Sequence, residues 1–191
     1  VCLDESPRPL VSEVRQSYTD AKGVVHEDYE YKREGAADVY MVCEPLAGKR
    51  FVEVRDSHHS HQWAQVIARI VEREYPDAEC ITLVQDNLKA HKKAALYEVF
   101  EPQRARQILS KIEFIWTPVH GSWLNMAELE LSAMQRQCLN RRFSNLSSLN
   151  RACQAWATAR NRDATKIKWQ FSNAEARIRL HRLYPQLLDK T

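Results

Sequence analysis

Residues 81–91 read Ile81-Thr82-Leu83-Val84-Gln85-Asp86-Asn87-Leu88-Lys89-Ala90-His91. The opening apolar run is short and continuous, which predicts a central strand buried on both faces. It ends in an acid, Asp86. Upstream, Trp63, Val66, Ile67, Ile70 and Val71 recur at helical spacing, so residues 61–74 are expected to form an amphipathic helix laid on that strand. Downstream, residues 90–110 carry helix formers broken near Pro102, and Glu113 to Thr117 reads as a fifth strand stopped by Pro118-Val119-His120-Gly121.

Working outward, Val39 to Cys43 and Phe51 to Arg55 are β-prone runs around Pro45-Leu46-Ala47-Gly48-Lys49, the pattern of an antiparallel hairpin. Val1-Cys2-Leu3 is an apolar run that reaches Asp4 almost at once. It is shorter than the usual five or six residues of a strand, so sequence upstream is expected. Residues 7–35 are polar and punctuated by Pro7, Pro9, Gly23 and Gly35, which reads as loop with a short hairpin. Ser122 is the expected N-cap of a helix over 123–138, residues 146–160 form another, and Ser172-Asn173-Ala174-Glu175 is a capping box opening the last. This order predicts the α/β class, a mixed five-stranded sheet flanked by helices, in a single domain over residues 1–191.

Composition narrows the partners. The 191 residues are 44% hydrophobic with 4 Gly and 7 Pro, which suits a packed globule. The 5 Cys form no C-x-x-C pair, and there is no long apolar run or leader pattern, so reduced thiols in the cytosol are expected. Net charge is only +3, but residues 133–191 hold 12 Lys/Arg against 3 Asp/Glu, while the remainder holds 16 against 22. A basic surplus in one segment points to a polyanion such as nucleic acid.

Three acids stand at informative places. Asp4 follows the first strand and Asp86 follows the run 81–84, both at carboxyl ends of strands, where open sheets gather ligands. Glu128 borders the apolar stripe Leu124, Ala127, Leu131 and Met134 of its helix, with Glu130 turned about 200° away. An acid beside an apolar stripe faces desolvation, which a cation relieves. Carboxylates without a Cys/His set favour Mg²⁺ or Mn²⁺ over Zn²⁺, and two such ions roughly 4 Å apart suit in-line phosphoryl displacement. Periodicity does not say that the three acids meet.

The stretches Val1-Cys2-Leu3-Asp4-Glu5, Leu83 to His91, and Thr117-Pro118-Val119-His120-Gly121-Ser122-Trp123-Leu124-Asn125-Met126-Ala127-Glu128 resemble the DDE superfamily endonucleases. More narrowly they resemble bacterial insertion-sequence transposases related to the mariner elements, as do Lys166 to Phe171, Ala176 to Leu180 and Leu183-Tyr184-Pro185. The resemblance implies a ribonuclease-H-like fold, with Asp4, Asp86 and Glu128 as catalytic ligands of two Mg²⁺ or Mn²⁺ ions. It implies cleavage of double-stranded DNA at transposon ends, transfer of the freed 3′-hydroxyl into target DNA, and a homodimer on DNA. It also implies a helix-turn-helix region upstream, which residues 1–191 do not contain. The 42-residue separation of Asp86 and Glu128 exceeds that of mariner-like relatives, through extra residues around Glu101 to Ser110.

Other residues are candidates for support or DNA contact. Asn87 and His91 flank Asp86, with Lys89, Lys92 and Lys93 as phosphate anchors. His120 and Asn125 precede Glu128, and Trp123 between them is expected in the core. His58, His59 and His61 form a cluster at a helix start, read as a helix terminus and not a metal site. Arg136, Arg141, Arg142, Arg151, Lys166, Lys168, Arg177, Arg179 and Arg182 make up a candidate DNA track. A nucleotide hydrolase fails for want of a phosphate loop, since Gly48-Lys49 is followed by Arg50, and a haloacid-type phosphatase fails because Ser6 stands where a second Asp is needed. A non-catalytic DNA-binding module and a ribonuclease-H-like nuclease that cuts without joining stay open as alternatives.

Overall fold

The computed structural model describes residues 1–15, 18–26, 29–118 and 120–179. In chain order the elements are β1 (Cys2–Glu13), β2 (Tyr18–Thr19), β3 (Val25–His26), β4 (Tyr31–Glu44), β5 (Lys49–Arg55), α1 (Ser60–Arg69), β6 (Ile81–Gln85), α2 (Ala94–Val99), α3 (Pro102–Ser110), β7 (Ile112–Trp116), α4 (Ala127–Gln137), α5 (Leu146–Arg162) and α6 (Asn173–Arg179). A π-helical turn, Ile70–Glu74, extends α1, and a 3₁₀ turn, Ser122–Leu124, precedes α4. The main sheet runs β5-β4-β1-β6-β7. Its first half is antiparallel, while β1, β6 and β7 are parallel.

Each face of the sheet carries its own core. On one, Leu3, Tyr40 and Leu83 meet the α1 stripe of Trp63, Val66, Ile67 and Ile70, with Leu96 of α2 and Ile108 of α3. On the other, Cys2, Met41, Cys43 and Val52 meet Ala127, Leu131 and Met134 of α4 and Leu149, Cys153 and Trp156 of α5. Consecutive strand residues point to opposite faces, so Leu3 serves the first core, and Cys2 and Asp4 turn towards the second.

The structure departs from the expected elements in four places. Residues 7–35 are not mainly loop: β1 and β4 pair as far as Glu13 and Tyr31, forming a long two-stranded arm. Pro7 and Pro9 fit within it because odd-numbered residues of β1 turn their backbone polar groups towards the β6 side, where Val84 N donates to Val1 O (2.9 Å), and β6 ends before reaching them. A proline on an open edge forfeits no ladder hydrogen bond. Gly35, at φ +121°, sits opposite Leu10, where the register shifts.

Second, β6 is not buried on both faces: Ile81, Leu83 and Gln85 are buried but Thr82 is exposed, because α4 and α5 cover the antiparallel half of the sheet and leave the β6–β7 half open. Third, α4 starts at Ala127, after the 3₁₀ turn, so Ser122 does not cap it. Fourth, Trp123 lies outside the core, 36% exposed and edge-on to Phe171 at 4.9 Å. The capping box holds: Ser172 N donates to Glu175 Oε2 (2.8 Å), and Glu175 N to Ser172 Oγ (3.2 Å).

Candidate active site

β1 and β6 run side by side, which sets Asp4, inside β1 and not at its carboxyl end as expected, beside Asp86, which follows β6. Asp4 is 8% exposed, its Oδ1 accepts from Glu5 N (3.0 Å), and its Oδ2 is buried with no hydrogen-bond partner among the described residues. Burial, and then the negative charges of Glu128, Glu5 and Asp86, push the Asp4 carboxyl up to about 8. Asp4 thus lies within the electrostatic reach of Glu128, Glu5 and Asp86, and among the described residues no cation pairs with it.

Glu128 reaches this cluster from the first turn of α4, and Asn125 fixes where that turn lies. Asn125 is fully buried; its Nδ2 donates to Leu3 O (2.7 Å) and its Oδ1 accepts from Ala127 N (3.2 Å). One side chain thus ties the start of α4 to the backbone carbonyl preceding Asp4. Leu3 O is free to accept because it faces the side on which β6 has already ended.

The desolvation expected of Glu128 falls elsewhere. Glu128 is exposed, and the buried acid of α4 is Glu130, at 1% exposure. The buried face is Ala127, Glu130, Leu131 and Met134, so Glu130 takes the i+3 place beside Leu131. Its carboxylate is matched by Arg50 Nε (3.1 Å) and Arg160 Nη2 (2.9 Å). The arginines that make this burial tolerable lie far away in sequence, which is why helical periodicity alone misassigned the two glutamates.

His91 organises the other flank. It is 5% exposed and stacks on Trp63 at 5.6 Å. Its Nδ1 lies 2.9 Å from Asp86 Oδ1 and its Nε2 3.3 Å from Glu5 Oε2. Burial opposes a charged ring, but the Asp86 and Glu5 carboxylates outweigh it and hold the imidazolium up to about 9. The same hydrogen bond from His91 draws Asp86 below its ordinary value, helped by Leu88 N at 3.3 Å. Glu5, Asp86 and His91 each bring one ligand atom within 4.8 Å of the others. Sequence reading named His91 and Asp86 but missed Glu5, because neighbours on a strand point to opposite faces and no local pattern shows that a histidine 86 positions away bridges back.

The remaining candidates lie around this centre. Asn87, Lys89 and His120 are exposed, His120 with φ +62°. Lys93 sits over the Phe114 ring (5.0 Å). His58 pairs with Asp38 and His61 with Glu98, both at 3.2 Å, so the two histidines face separate carboxylates. Arg136 donates to Ser132 Oγ (2.7 Å). Arg141, Arg142 and Arg151 line one hollow beside α5. Lys166, Lys168 and Arg177 are exposed, Arg179 lies over Phe171 (5.8 Å), and Val119, Leu180, Arg182 and Leu183-Tyr184-Pro185 fall outside the described residues.

Chemically, Asp4, Asp86, Glu128 and Glu5 offer hard oxygen donors, and a divalent cation bound among them would relieve the negative charge around the orphaned Asp4 Oδ2. Among the described residues no helix is long and apolar enough to cross a membrane. The fold is ribonuclease-H-like and resembles that of a Mos1 transposase paired-end complex with left transposon end, at 16% identity and a TM-score of 0.54. The match covers 83% of this chain and 47% of that one, so the chain spans about half the length of that transposase. No curated protein matches the chain. Residues 1–150 match the family model described as DDE superfamily endonuclease, and the chain belongs to that family.

Proposed function

We propose that this chain is the catalytic domain of a DDE transposase, which cleaves double-stranded DNA at transposon ends and joins the freed 3′-hydroxyl to target DNA. The observation that carries this reading is the buried, unpartnered Oδ2 of Asp4 amid Glu128, Glu5 and Asp86. Asp4, Asp86 and Glu128 would hold two Mg²⁺ or Mn²⁺ ions, which supply the Lewis acidity for in-line phosphoryl displacement. Around them the chain's own residues provide position. Asn125 fixes the start of α4 and so the place of Glu128, while His91 orients Asp86 and Glu5 and is itself held against Trp63. Asn87, Lys89 and His120 flank the acids as candidate DNA contacts.

A homodimer on DNA fits the β1–β4 arm, whose end exposes Val14, Tyr18, Val24, Val25 and Tyr29. The test of the catalytic reading is nicking of supercoiled plasmid with Mg²⁺ or Mn²⁺ by the wild-type chain and by Glu128→Ala. The wild type is expected to nick only with metal, and the variant to lose about 10³-fold in rate, some 4 kcal/mol of barrier. A strand-transfer product with a supplied 3′-hydroxyl end separates a transposase from a nuclease that only cuts. Equal nicking by Glu128→Ala would remove Glu128 from the site.

A further inference from the structure

The segment between α4 and α5, together with the first turns of α5, forms a hollow of about 450 Å³ lined chiefly by Arg141, Arg142, Phe143, Ser144, Ser148 and Arg151. Among the described residues no Asp or Glu lines it. Arg141 lies over the Phe143 ring (5.1 Å) and Arg142 over the Tyr31 ring (5.7 Å), so aromatic faces orient these two guanidinium groups. Arg142 Nη1 is buried and has no hydrogen-bond partner among the described residues. A buried donor left unpaired is costly, and the planar arginine fork matches a phosphate. α5 also directs the positive end of its dipole here, with Asn145 as its cap and the Ser144 hydroxyl on the lining, while Ser148 donates to Asn145.

Position ties this hollow to the acidic site. Val11 N of β1 donates to Phe143 O (2.8 Å), so the hollow borders the same strand that carries Asp4. Seven residue steps of strand lead from Asp4 to Val11, on the order of 20 Å. Between them Arg8 faces the side of the sheet that Asp4 faces, and its buried Nε is likewise without a hydrogen-bond partner among the described residues. At 3.4 Å of rise per base pair, a duplex laid along β1 would pass roughly six base pairs over 20 Å.

We infer that this three-arginine hollow clamps a backbone phosphate of the DNA engaged at the acidic site, roughly six base pairs from the scissile position. The inference rests on the reading of that site as a DNA nuclease. It makes Arg142 and Arg151 positioning residues, which set the register of the duplex without touching the reacting atoms.

The test is the salt dependence of duplex binding in EDTA, for wild type, Arg142→Ala, Arg142→Lys, Arg151→Ala and, as an equal change of charge far from the hollow, Arg73→Ala. Each neutralised phosphate contributes about 0.9 to the slope of log K against log salt. Arg142→Ala and Arg151→Ala should each lower that slope by about 1, with Arg142→Lys between them and wild type. Arg73→Ala should leave the slope as it is. Equal slopes for Arg142→Ala and Arg73→Ala, with unchanged melting temperatures, would overturn the clamp. Binding is read without metal, so the two readings fail separately. Metal-dependent nicking with an unchanged slope sinks the clamp alone, whereas a lowered slope in a chain that never nicks sinks the catalytic reading, and with it the register, and leaves only a phosphate-binding hollow.

Discussion

Two carboxylates are buried against the same helix, α4, and meet opposite surroundings. Glu130 has Arg50 and Arg160 within 3.1 Å, and its charge is matched on two sides. Asp4, across the helix–sheet interface, is surrounded by three further acids and has an oxygen with no partner. A buried charge costs several kcal/mol unless compensated. The first cluster is therefore compensated within the chain and belongs to the architecture, joining β5, α4 and α5. The second has no compensating cation among the described residues, and on the catalytic reading proposed above it would take one from outside.

The comparison is broken most severely from the compensated side. Glu130→Ala leaves two arginines facing a void, and should cost about 3–5 kcal/mol, with a fall in melting temperature on the order of 10 °C. Urea unfolding followed by tryptophan fluorescence checks this, and a loss under 1 kcal/mol would show that Glu130 is not the structural acid argued here.

A smaller effect of opposite sign is expected from the uncompensated side. Folded Asp4 keeps its proton up to about 8, whereas an unfolded aspartate releases it near 4. Between those values the folded state binds more protons, so Asp4 makes metal-free stability fall as pH rises. The loss begins above the unfolded value and is complete once pH has passed about 8. Asp4→Asn removes this dependence, and at pH 9 it should melt about 5 °C above the wild type, corresponding to 1–2 kcal/mol. Identical pH profiles for the two proteins would mean that Asp4 carries no such burden.

The same contrast explains how far the sequence could be read. The second half of β4, strands β5 to β7 and helix α1 were legible because their apolar periods are local and complete within the element. The arm was not: Pro7 and Pro9 signal a break unless one knows that β6 stops short and leaves their side of β1 open. Asp4, Asp86 and Glu128 stood out through the strands and helix that carry them and through the family resemblance, but their convergence depends on parallel pairing of β1 with β6. Glu130 and Glu5 were missed for one reason. Each is defined by a partner distant in sequence, Arg50 and Arg160 for one and His91 for the other.

The measurement that bears most directly on the central claim is calorimetric titration of Mn²⁺ into the wild-type chain and into Asp4→Asn at pH 7.5, read together with the thermal shift that Mn²⁺ produces in each. Proton release on binding should accompany saturable uptake by the wild type, because the cation displaces the proton Asp4 holds, and the melting temperature should rise with Mn²⁺ concentration. Asp4→Asn should bind at least tenfold more weakly and release fewer protons. Equal affinity and equal proton release in the two proteins would contradict the assignment of Asp4 as the unbalanced acid of a divalent-metal site.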